Sequence, residues 1–168
     1  SYFLNYNANV HRGSYKSAHQ ATERYEGARH DIASFIGAKS ASNIVFTSGA
    51  TESINLVASG LPKTTLQGNK ILVCESEHHA NLLPWQVFAK KYDMHIEVFK
   101  LESNGQFGHA SVQRLLDAIT ADVAIVAIAH VSNVLGNIYP IKLVCKKAKE
   151  NRALSVIDGT QAAAHLPI

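Results

Sequence analysis

Ser155-Val156-Ile157-Asp158-Gly159-Thr160-Gln161 decides how the rest of the chain is read. Val156 and Ile157 are an apolar β-branched pair following Leu154, the pattern of a buried strand. Asp158-Gly159 breaks that strand and starts a loop. A carboxylate at the end of a buried strand is costly unless a donor or a cation meets it. Asp158 therefore either caps a following helix or holds a cationic ligand. Three other apolar or β-branched runs upstream also end in polar, ligand-like residues.

Working outward from this stretch, strands and helices alternate. Leu154 to Ile157 is preceded by a helix opened by Pro140 and running to Lys149. Val123 to Ala129 is a strand, Ser111 to Ile119 a helix, and Asn104-Gly105 a turn. His95 to Leu101 is a strand, Leu83 to Tyr92 an amphipathic helix, and Lys70 to Cys74 a strand. Pro62 to Gly68 is a polar linker and Thr51 to Ala58 a helix. Ser48-Gly49-Ala50 is a tight turn after a short strand over Asn43 to Thr47. Ser17 to Phe35 carries Ala21, Tyr25, Ala28, Ile32 and Phe35 at helical spacing, with Gly37 as the stop. Ser1 to Tyr15 reads as a loop. The class is α/β: a mostly parallel sheet with flanking helices, joined by right-handed crossovers.

Composition excludes several functions. The chain has 168 residues, 46% hydrophobic and 17% charged, which suits one domain with a sizeable core. Its net charge of +3 is mild, and no Lys/Arg stripe interleaves with aromatics, which argues against nucleic acid. No apolar run reaches the roughly 18 residues of a membrane span, and Ser1-Tyr2-Phe3 does not open a signal peptide. Two cysteines, Cys74 and Cys145, cannot make a disulfide framework and read as buried thiols in a reducing, cytoplasmic setting. Nine histidines show no HExxH or CxxC spacing, so no metal site is expected. The chain does not begin with Met and stops at Ala164-His165-Leu166-Pro167-Ile168 without a closing helix. A piece of a longer protein is the expectation.

In parallel sheets ligands sit beyond the carboxyl ends of the strands. That rule nominates Ser48–Thr51, Glu77–Asn81, His130–Asn133 and Asp158–Gln161. Ser48-Gly49-Ala50-Thr51 leads into a helix whose free N–H groups favour an anion, with the Thr51 hydroxyl beside them. It is neither a Walker A loop nor GxGxxG, and ordinary capping by Thr51 is the plainer reading. His78 offers a ring that can stack or move protons, while His79 reads as structural. Asn133 offers an amide donor or is a turn residue. Asp158 and Gln161 fall on one side of a helical turn. An anion cup, a stacking ring, two amides and a carboxylate together match a phosphorylated pyridinium bearing a phenolate. A carboxylate at the ring nitrogen makes pyridoxal phosphate a better electron sink.

Six motifs carry a family resemblance over nearly the whole chain. They are Tyr6-Asn7-Ala8-Asn9-Val10-His11-Arg12-Gly13, Tyr25-Glu26-Gly27-Ala28-Arg29, Thr51-Glu52-Ser53-Ile54-Asn55-Leu56-Val57, Glu77-His78-His79-Ala80-Asn81, His130-Val131-Ser132-Asn133-Val134-Leu135-Gly136 and Asp158-Gly159-Thr160-Gln161-Ala162. In this order they resemble the amino-terminal part of the large domain of cysteine desulfurases. These belong to the class V aminotransferase group of fold-type I pyridoxal-phosphate enzymes. Glu-His-His-Ala-Asn with His-Val-Ser-Asn resembles the sulfur-mobilisation branch.

The resemblance implies that Ala50 and Thr51 bind the cofactor phosphate. It implies that His78 stacks on the pyridine ring and assists proton transfer, and that Asn133 contacts the phenolate side and the substrate carboxylate. It pairs Asp158 with the ring nitrogen and Gln161 with the phenolate oxygen. His11 and Arg12 resemble a segment that lines the partner subunit's site, with residues 1–16 as an interface segment of a homodimer. The implied reaction takes L-cysteine, or L-selenocysteine, and passes persulfide sulfur to an acceptor protein for iron–sulfur cluster assembly. The family's cofactor-binding lysine lies some two dozen residues beyond its Asp-Gly-x-Gln motif. Its persulfide cysteine and carboxylate-binding arginine lie in a later small domain, and Cys74 and Cys145 match neither. The whole protein is thus expected to be the enzyme, and the 168-residue stretch alone inactive. A selenocysteine lyase, kynureninase or epimerase of the same family is the nearest alternative. A non-catalytic binding or dimerisation module of the same fold is the second.

Overall fold

The computed structural model describes residues 2–5 and 7–167 and divides the chain into two units, one up to Phe46 and one over Thr47–Pro167.

In the first unit a single turn of helix, α1 (Tyr2–Asn5), precedes the long helix α2 (Lys16–Phe35). The loop expected over Ser1 to Tyr15 thus contains a helical turn, with Phe3 and Leu4 exposed. The strand expected over Asn43 to Thr47 does not form. The Ser40 side chain accepts the Ser42 N–H and starts a 3-10 turn over Ala41–Asn43. The Ile44 carbonyl is taken by the Arg29 guanidinium rather than by a neighbouring strand. Arg29 also stacks over Tyr25 and Phe46 at 5.2 and 5.1 Å and pairs with Glu26 at 3.1 Å. A local side-chain hydrogen bond and a cation–π clamp outcompete β-propensity here.

In the second unit the order is α3 (Ala50–Gly60), β1 (Lys70–Cys74), α4 (Leu83–Tyr92), β2 (His95–Phe99), α5 (His109–Ala118), β3 (Val123–Ala129), α6 (Ile141–Glu150) and β4 (Leu154–Asp158). The four strands pair in parallel in the order β2-β1-β3-β4. β3 is buried along its whole length, as expected for a central parallel strand with helices on both faces. Pleat alternation splits its core. Ile71 and Val73 meet Ile54, Trp85 and Phe88 of α3 and α4. Leu72, Val126 and Ile128 meet Leu115 and Val144 of α5 and α6. A bulge sets Lys70 opposite Val123 and Ile71 opposite Ile125. It lets Ala124 and Ile125 join the same face. β4, expected as buried, is only partly so, because it forms one edge of the sheet.

The crossovers fix where a ligand can enter. β1 connects to β2 on one side through α4, on one face of the sheet. β2 to β3 and β3 to β4 run the other way through α5 and α6, on the opposite face. Opposite directions on opposite faces keep one crossover hand. The connections leaving β1 and β3 therefore diverge, and a crevice opens between the carboxyl ends of these two strands.

Candidate functional site

That crevice is a cavity of about 200 Å³ lined by Ala50, Thr51, His78, Ala80, Ala129, Val131, Asn133, Asp158, Thr160 and Gln161. Ala50, Thr51, His78, Asn133, Asp158 and Gln161, drawn from four stretches far apart in sequence, come together there. His11 and Arg12 belong to the other unit and are not among its lining.

Each wall has a local cause. Glu52 reaches back from the first turn of α3 and accepts the Ser48 N–H and hydroxyl at 2.6 and 2.5 Å. These two bonds hold its carboxyl below the usual range. The bracket sets the entry angle of α3, whose first N–H groups have no partner within the helix. Ala50 and Thr51 stand at that end.

The segment after β1 is tied down by a buried phenol. Tyr139 shares a 2.6 Å hydrogen bond with Ser76 and lies 3.4 Å from the Cys74 sulfur. Burial pushes the Tyr139 phenol upward, so it stays neutral. His78 follows, and its Nδ1 accepts the Ala80 N–H at 3.2 Å. That bond assigns the proton of the neutral ring to Nε2.

Asn133 lies in a tight loop beyond β3, closed by a bridge between Val131 and Ile138. The buried Ser132 hydroxyl accepts the Val134 and Leu135 N–H groups, and Gly136 turns the chain at a φ of 69° that favours glycine. Asn133 is thus both a turn residue and a cavity residue.

Asp158 does not cap a helix, because only turns follow it. Its Oδ1 accepts both the N–H and the hydroxyl of Thr160, at 2.9 and 2.5 Å, which closes an Asx turn. Both bonds fall on one oxygen, and among the described residues Oδ2 accepts none, so it remains for another donor. The same turn carries Gln161 to the cavity.

The sequence nominated the stretches that hold Thr160 and Glu77 but gave neither residue a role of its own. Glu77 Oε1 accepts the Ala129 N–H at 2.9 Å, and its Oε2 accepts the Asn81 amide at 2.7 Å. Asn81, fully buried, accepts the Trp85 indole N–H at 3.1 Å. Burial pushes the Glu77 carboxyl up to about 7, with the Asp158 charge adding to the rise and the two hydrogen bonds opposing it. The available signal was a carboxylate three residues past a buried strand, next to the histidine already singled out.

His11 takes a left-handed backbone, φ 64°, and is held by Thr22 and Glu26, at 3.0 Å each. Cys74 is buried, whereas Cys145 is only partly so. No helix among the described residues is long and apolar enough to cross a membrane.

A family model for aminotransferase class V matches residues 1–168. The chain belongs to the aminotransferase class-V family. Within that family it is 45% identical to a probable cysteine desulfurase of Vibrio cholerae, over 98% of this chain and 40% of that protein. The apo cysteine desulfurase of Thermococcus onnurineus superposes with a TM-score of 0.89 at 40% identity, covering 99% of this chain and 40% of that one. A cysteine desulfurase of Escherichia coli gives 0.79 at 35% identity over 95% and 40%. The chain spans about 40% of the length of the class V relatives it matches.

Proposed function

We propose that the whole protein is a pyridoxal-phosphate-dependent cysteine desulfurase, converting L-cysteine to L-alanine and passing persulfide sulfur to an acceptor protein. The observation that carries this is the convergence of Ala50, Thr51, His78, Asn133, Asp158 and Gln161 on one cavity at the switch point of the sheet. The named relatives support it.

The donor set fits the cofactor. Unpaired N–H groups at the start of α3 and the Thr51 hydroxyl suit a dianionic phosphate. The unshared Oδ2 of Asp158 suits a protonated ring nitrogen, and the amides of Asn133 and Gln161 suit the phenolate oxygen. When bound, pyridoxal phosphate supplies the electron sink for bonds broken at the amino-acid α-carbon. In this reading His78 stacks on the ring and holds or moves a proton at Nε2. Asp158 keeps positive charge at the ring, and Asn133 orients the substrate carboxylate. The Asx turn holds Asp158 and Gln161 in one frame, so neither must reorganise on binding.

A cytoplasmic homodimer serving iron–sulfur cluster assembly completes the proposal, with residues 1–16, including His11 and Arg12, at the subunit interface. The full-length protein, supplied with pyridoxal phosphate, L-cysteine and a thiol reductant that releases the persulfide sulfur as sulfide, should form alanine and sulfide one for one. Cofactor uptake without alanine from cysteine would refute the substrate assignment. No uptake would refute the cofactor assignment.

A further inference from the structure

Glu77 is an expensive residue where it stands. Its carboxylate is partly buried, and among the described residues its two bonds come from neutral donors, the Ala129 N–H and the Asn81 amide. Around it are Glu75 and His78 on its own segment, His79 on a 3-10 turn over His79–Asn81, Glu102 in a second hollow that Glu75 and Glu77 also line, His130 after β3 and Asp158 on β4. Of these, Asp158 is the one whose charge acts on it, and that charge is of like sign. A charge held in this way costs free energy unless a cation arrives.

Its position ties it to the cavity. Ala129, which donates to Glu77, is the register partner of Asp158 and lines the cavity. The next N–H along, that of His130, donates to the Asp158 carbonyl at 2.9 Å. Glu77 also immediately precedes His78. One carboxylate therefore joins the ends of β1 and β3 and, through Asn81, the buried Trp85 of α4.

We propose that Glu77 is a positioning residue for the cofactor ring: it joins the end of β1, from which His78 follows, to the end of β3, beside which Asp158 stands in register, and it supplies a second negative charge that favours a protonated ring nitrogen. The inference rests on the pyridoxal-phosphate reading above. In the cofactor-free protein burial pushes the Glu77 carboxyl up to about 7, so Glu77 is partly protonated at neutral pH. A ring cation at Asp158 replaces that proton, which leaves Glu77 ionised.

The test uses the full-length protein and two readouts other than turnover. The first is nitrogen NMR of ring-labelled pyridoxal phosphate bound to wild type and to Glu77→Gln. The ring nitrogen should lose its proton about one pH unit lower in the variant, the size of effect a nearby charge gives. The second is carbon NMR of the Glu77 carboxyl in wild type, which needs no variant and decides the matter if Glu77→Gln does not fold. It should titrate near 7 without cofactor and be ionised at neutral pH with it. Equal ring titrations in wild type and variant, or an ordinary Glu77 titration in cofactor-free protein, would overturn the inference and leave the cofactor site standing. Failure of wild type to take up pyridoxal phosphate would overturn both.

Discussion

Asp158→Asn separates the charge of this residue from its geometry. Asp158 Oδ1 accepts two bonds from Thr160, and the Oδ1 of asparagine can accept both. The Asx turn, and with it Gln161, should stay in place. What changes is the other branch: an anionic acceptor becomes an amide donor where the proposal places the ring nitrogen. A hydrogen bond to a charged group is worth about 1.5–3 kcal/mol. At roughly 1.4 kcal/mol per tenfold, that predicts cofactor binding about ten- to a hundredfold weaker. Turnover should fall further, because an amide N–H favours the unprotonated ring and weakens the electron sink. Visible absorbance titration of the full-length protein gives the affinity, alanine release gives turnover, and circular dichroism reports whether the fold is kept. Unchanged affinity and turnover would remove Asp158 from the site. A variant that loses its fold would mean that the turn, not the charge, is what the residue supplies.

Asn81→Ala should destabilise the protein by about 2–4 kcal/mol, because it strips a partner from the buried Trp85 indole and from Glu77; a denaturant midpoint equal to wild type would contradict the network. For Glu77 the folded value, about 7, lies above the ordinary 4.5. Its stabilising contribution is therefore fully present below pH ~4.5 and is lost as pH rises through 7, about 3 kcal/mol in all. The stability of cofactor-free wild type relative to Glu77→Gln should decline across that window in urea melts, and a constant difference would refute it. Tyr2, Phe3 and Leu4 are exposed apolar residues, in keeping with an interface, so sedimentation of the full-length protein should show a dimer. A fully active monomer at micromolar concentration would count against the roles proposed for His11 and Arg12.

Strand and helix alternation from Thr51 onward was legible because the apolar runs are long and bounded by clear breaks. Val123 to Ala129 and Lys70 to Cys74 show this best. The parallel sheet then placed the site at strand ends without further information. Asn43 to Thr47 misled because a β-branched, aromatic run resembles a strand in isolation, while the Ser40 carbonyl accepts the Asn43 N–H and the Arg29 guanidinium takes the Ile44 carbonyl. The bulge at Ala124 left no sequence trace, since Val123, Ala124 and Ile125 form one unbroken apolar run. No role was legible for Glu77 and Thr160 for a related reason. Their importance lies in partners across the sheet or turn, Ala129, Asn81 and Asp158, which spacing along the chain does not reveal.

In the proposed enzyme this cavity holds pyridoxal phosphate in a defined orientation. A crystal structure of the full-length protein with pyridoxal phosphate tests it most directly. Density is expected with the phosphate against the Ala50 and Thr51 end of α3, the ring beside His78, and the ring nitrogen within hydrogen-bond distance of Asp158. A cofactor bound elsewhere, or a ring turned so that its nitrogen faces Asn133 and its phosphate Asp158, would contradict it.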